Sequence, residues 1–78
     1  MDWHEHITSD PQIAHGQPCV RGTRVAVSVV LDNLADGESP GVIAESYHIP
    51  EAAVSACLRY AAELAHGRVT PLPAAPAV

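Results

Sequence analysis

The chain contains no lysine and no phenylalanine, and its 78 residues include only four arginines, two cysteines, one tryptophan and two tyrosines. Nine acidic residues against those four arginines give a formal net charge of -5 at pH 7. That balance argues against a strong, non-specific nucleic-acid binder, whose affinity comes from many Lys and Arg contacts to phosphate. Cys19 and Cys57 match no zinc or redox spacing and fall short of the dense framework of a small secreted domain. They are expected as reduced thiols. The first residues, MDWHEHITSD, lack a basic region followed by an apolar run, and no segment approaches the ~20 apolar residues of a membrane span. A soluble, cytoplasmic protein without membrane contact is the expectation.

A chain of this length forms one small domain, and such domains bury only roughly 60% of their unfolded surface. Trp3, Tyr47 and Tyr60 are the only aromatic residues, and many of the apolar residues are alanine. So thin a core points to a homodimer or a bound partner.

Residues 4–8 read as a short strand closed by the turn signal Ser9-Asp10-Pro11. A second strand is expected over residues 23–27, where β-branched side chains follow Gly22. Gly16, Pro18 and Gly22 mark an irregular connection between them. An isolated two-stranded ribbon is unstable, so this one must pack on helices or on a second chain.

Val27, Val30, Leu31 and Leu34 recur at helical spacing and predict a helix over residues 28–36, stopped by Gly37. Ser39-Pro40 pairs an N-cap residue with a proline in the first turn, opening a helix over residues 40–46. Tyr47-His48-Ile49 is a tight turn. Pro50-Glu51 opens a third helix running to about Ala65, with Val54, Leu58, Ala61 and Ala65 on one face and Cys57 and Leu64 beside them. Gly67 ends it. The composition then shifts to VTPLPAAPAV, whose prolines favour an extended tail over residues 69–78. Residues 1–68 form the domain. The fold class is mainly α: a small three-helix helix-turn-helix domain, homeodomain-like or winged-helix-like, with a short N-terminal β-ribbon.

A short helix, a tight turn and a longer helix are the elements of helix-turn-helix geometry. Ala44 sits where the two helices approach, and Ile43, Ile49, Val54 and Cys57 point inward. The turn usually contains glycine; here His48 occupies that place, and histidine tolerates left-handed geometry better than most side chains. On the exposed face of the third helix, Glu51, Ser55 and Arg59 recur at four-residue spacing. Arg59 is suited to a guanine edge or a phosphate and Ser55 to a phosphate, while Glu51 repels the backbone. The same helices also serve as a plain scaffold without a DNA role.

His4, His6, His15 and Cys19 are residue types that bind metal, with His4 and His6 on one face of the expected strand. Their spacing fits no strong motif, and solvated histidines are the better reading. GQPCVRG lacks the lysine and following helix of a phosphate-binding loop. Cys19 lies near His15 in sequence without an evident third orienting group. No catalytic residue, metal site or cofactor is assigned.

Arg21 and Arg24 stand three residues apart inside GQPCVRGTRVAV. Guanidiniums on an ordered loop suit bidentate contacts to carboxylate or phosphate. The alternative is a rigid loop whose arginines satisfy carbonyls and carboxylates within the fold.

The Asp10-Pro11 pair, Gly16-x-Pro18, Arg21-Gly22-Thr23-Arg24 with Val27, then Leu34, Gly37, Ile43 and the late helix ending Tyr60-Ala61 carry a resemblance. Over residues 7–63 the chain resembles the bacterial and archaeal "domain of unknown function 433" family, which includes VapB-like antitoxins. His15 stands where that family frequently has glycine or another small residue. The resemblance implies a compact, often dimeric helix-turn-helix domain. It also implies an antitoxin that binds and neutralises a PIN-like ribonuclease toxin and binds operator DNA to repress its own operon. Arg21, Arg24 and Arg68 are the candidates for contacts to the toxin, and Arg21, Arg24, Ser55 and Arg59 for contacts to DNA. A stand-alone DNA-binding regulator and a non-catalytic dimerisation or interaction module are the alternative readings.

Overall fold

A computed structural model describes residues 2–67. Three helices carry the core: α1 (Val27–Ala35), α2 (Pro40–Tyr47) and α3 (Glu51–Ala65). Before them, strands β1 (Ile7–Thr8) and β2 (Cys19–Val20) pair antiparallel, with Ile7 opposite Val20 and Thr8 opposite Cys19. The fold is therefore mainly helical, with a two-stranded N-terminal ribbon.

Both boundaries of α2 have a local cause. The Ser39 hydroxyl accepts the Val42 N–H at 3.3 Å, satisfying one of the free donors at the start of α2. The capping residue and the following proline thus act as expected. At its far end α2 stops on His48, which adopts φ 56° and ψ 45°, and the Ala44 carbonyl accepts the N–H groups of His48 and Ile49. This left-handed residue replaces the usual turn glycine. Pro50 then precedes α3 in extended geometry, so three residues separate the two helices. Both α1 and α2 differ by one residue from the expected limits, α1 beginning at Val27 and α2 ending at Tyr47.

The core joins Ile7 and Val20 of the ribbon to Val27 and Val30 of α1, Ile43 of α2, Ile49, and Ala53, Val54, Ala56 and Cys57 of α3. Ile43, Ile49, Val54 and Cys57 are all buried, as their spacing demands, and Ala44 is half-buried against them. Leu58 is a correction. Expected on the buried face, it is 47% exposed, because α3 turns the row containing Ala53, Ala56, Cys57 and Tyr60 inward and Leu58 lies about 100° round from Cys57. Ala65, placed on that face as well, is exposed.

The N-terminal strands also differ from expectation. Residues 3–5 form a 3-10 turn instead of strand, because Asp2 Oδ1 accepts the His4 N–H at 3.0 Å and caps it. His4 and His6 consequently do not share a strand face. The Trp3 ring packs edge-on to Tyr60 of α3, centroids 5.0 Å apart, and seats this turn on the helix. The second strand lies at Cys19–Val20, not at residues 23–27. Gly22, at φ 76°, reverses the chain immediately after it, and only Ala26 of the expected segment bridges back to Cys19. The order is strand, turn, return.

Candidate functional site

The turn Arg21-Gly22-Thr23-Arg24 is held at several points. The Thr23 hydroxyl donates to the Val20 carbonyl at 2.8 Å and accepts the Val25 N–H at 3.0 Å, while the Thr23 N–H also reaches Val20 O at 3.0 Å. The Val20 N–H returns to Val25 O at 2.9 Å. Glycine is needed at position 22 because the left-handed region disfavours a side chain, and nothing crowds the space where a Cβ would stand. The result is a rigid corner.

Arg21 and Arg24 are both exposed on it. Arg21 braces the N-terminal turn: its guanidinium Nη2 donates to the His4 carbonyl at 3.1 Å, and its backbone N–H donates to His6 O at 2.7 Å. One donor engaged leaves most of the guanidinium fork facing water. Arg24 has no hydrogen bond or ion pair to any described residue. The two arginines thus divide the alternatives, Arg21 doing partial structural duty and Arg24 none within the described chain.

Glu51, Ser55 and Arg59 are exposed in one row on α3, as their spacing implies. Arg68 lies outside the described residues, as does the segment 69–78 expected as a tail. The structure joins Arg21 to Arg24 on one corner and Ser55 to Arg59 on one helix face.

The site has a feature that residue spacing did not reveal. Beneath the Arg21–Thr23 corner lies a half-open cleft of about 360 Å³, lined by Thr8, Ser9, Asp10, Pro11, Ile13, Cys19, Arg21, Gly22 and Thr23. The turn signal at Asp10-Pro11 marked part of the lining, but only the folded chain brings that turn into one cleft with Arg21. A second, apolar groove of about 300 Å³ runs between α1 and α3, with Pro18, Leu31, Tyr60 and Leu64 along it. Among the described residues, no three His, Cys, Asp or Glu side chains are placed to share a metal ion. Both Cys19 and Cys57 are free and buried, and burial raises the Cys57 thiol from 9.0 to about 11. No helix among the described residues is long and apolar enough to cross a membrane.

Residues 7–61, from the start of β1 into α3, match the family model described as protein of unknown function (DUF433). The chain belongs to the DUF433 family. The matched region contains both walls of the cleft, the arginine corner, α2 and most of α3. The DUF433 domain also resembles the crystal structure of Rv2018 from Mycobacterium tuberculosis, with a TM-score of 0.66 and 26% sequence identity. That likeness covers 73% of this chain but only 27% of Rv2018, so it concerns one part of a longer protein. No curated protein matches the chain.

Proposed function

We propose that this DUF433 domain is an antitoxin-type, non-enzymatic binding protein that neutralises a PIN-like ribonuclease toxin in the cytoplasm. The observation that carries the reading is the rigid corner presenting two exposed guanidiniums, one of them without a described partner, on a chain that is acidic overall. PIN-like nucleases gather carboxylates around a metal ion, and a preorganised arginine pairs with such carboxylates at little entropic cost. Pairing competes with metal or RNA. The protein works as a homodimer, consistent with its thin core and with the exposed Val42 and Leu58.

Copurification with the product of the adjacent gene tests the reading, followed by nuclease assay of the complex. Arg24→Ala is the cleaner variant, because Arg21→Ala also removes the bond to His4 O. Restored nuclease activity with Arg24→Ala, and more with both replaced, is the expected result. If no neighbouring nuclease binds, the reading falls.

The exposed row on α3 favours a second role, autoregulatory DNA binding, with Arg59 and Ser55 on the duplex and Arg21 and Arg24 on flanking phosphates. Retardation of the protein's own promoter fragment, weakening steeply with salt, is expected. Absence of any shift at low salt removes this role.

A further inference from the structure

The 360 Å³ cleft is built by the alternation of the ribbon. Paired residues of an antiparallel ribbon share a face, and successive pairs face opposite ways. Ile7 and Val20 therefore turn into the helical core, and Thr8 and Cys19 turn outward into the cleft. Cys19 is only 3% exposed yet stands outside the continuous core and lines the cleft. Pro11 and Ile13 make the walls apolar. Arg21 stands at the rim, fixed through Nη2 to His4 O.

The charges at the cleft are Arg21 and Asp10, with Arg24 close by in sequence. One Asp10 oxygen is already engaged, accepting the Gln12 N–H at 2.9 Å. The Arg21 guanidinium keeps most of its donors, so the unmet demand beside it is for an anion, while Asp10 keeps its second oxygen for a donor. A half-open cleft covers one side of an occupant, whereas small-molecule sites enclose most of their ligand's surface. That shape suits a side chain projecting from another protein.

We infer that this cleft is an anchor pocket for a protein segment carrying an aliphatic side chain next to a carboxylate, the aliphatic group against Pro11, Ile13 and Cys19 and the carboxylate on Arg21. It deepens the proposed toxin-binding role and rests on it for the partner's identity. In an interface, a buried anchor of this kind concentrates binding energy, and the rim charge selects the partner.

The probe is a blocked synthetic peptide with a leucine–glutamate pair, titrated into the ¹⁵N-labelled protein. Saturable amide shifts confined to Ser9, Ile13, Gly22 and Thr23 are expected, with binding weakened about fivefold when alanine replaces leucine or glutamine replaces glutamate. Bound peptide should also slow alkylation of Cys19 and leave Cys57 unchanged. Ile13→Glu should abolish the shifts while the helical circular dichroism persists. If that variant does not fold, Ile13→Ala, which only lowers the wall, should weaken binding about threefold. Shifts that do not saturate, or equal binding of the glutamate and glutamine peptides, overturn the inference. Capture of a nuclease that Arg24→Ala loses and Ile13→Glu retains overturns the cleft but leaves the proposed function. Peptide binding at the cleft without any nuclease partner does the reverse.

Discussion

Replacing His48 by glycine should stabilise the protein. His48 holds φ 56° and ψ 45° at the end of α2, and its side chain is exposed, so its removal costs little packing. A left-handed residue with a Cβ carries roughly 1–2 kcal/mol of strain. Histidine belongs to the types that visit this region more readily, which puts it at the low end. Glycine relieves that strain but adds about 0.4–1 kcal/mol of unfolded-state entropy. The balance is a gain of up to about 0.6 kcal/mol, which raises the melting temperature of so small a domain by up to about 5 °C. His48→Val, β-branched and unsuited to positive φ, should lose about 1 kcal/mol or more. Urea and thermal unfolding above about pH 8, outside the histidine titration range, separate conformation from imidazole charge. His15 supplies an internal replicate at φ 57° and ψ 32°, and its glycine variant should add independently to that at position 48. A lowered melting point for His48→Gly together with an unchanged one for His48→Val would refute the reasoning.

Two further predictions concern titrating groups, and a third probes the core. Cys57 is pushed up to about 11 by burial, so the unfolded chain ionises first as pH rises from 9 to 11 and stability falls across that window; Cys57→Ala should flatten the slope, read by urea unfolding at a series of pH values. Asp2 is held below its ordinary 3.8 by the side-chain hydrogen bond with His4 and then by the His4 N–H. Its contribution is present above 3.8 and lost as pH falls through the lowered value, so Asp2→Asn should abolish the acid-side change in Trp3 fluorescence. Ile43→Val, at a side chain 1% exposed, should cost about 0.5–1.5 kcal/mol by thermal unfolding, and a neutral result would mean that the α2–α3 contact is loosely packed.

The helical half was readable because its signals are local. Ser39-Pro40, Gly37, Gly67 and the apolar spacing through Ile43, Val54 and Cys57 act within a turn or two of the residues they organise. Even the left-handed His48 followed from the short gap between two helix signals. Leu58 was misplaced because several rows of α3 are apolar, and which row faces inward depends on the elements packed against it. The N-terminal ribbon is present as expected, but its strand limits differ for a related reason: β-branched residues at 23–27 satisfy strand propensity, while the Gly22 turn and the Thr23 hydroxyl decide where pairing stops.

By itself, the sequence determined three helices, the Ser39 cap, the glycine stops at Gly37 and Gly67, a tight turn around His48 and an irregular arginine-bearing loop marked by glycine. These rest on backbone preference and periodicity, which a short window contains. Only the tertiary structure decided that Ile7 meets Val20, that Arg21 reaches back to His4 while Arg24 does not, and that the Asp10-Pro11 turn closes a cleft against residues 19–23. Those contacts join distant parts of the chain, and their geometry comes from strand register and packing, which no local pattern encodes.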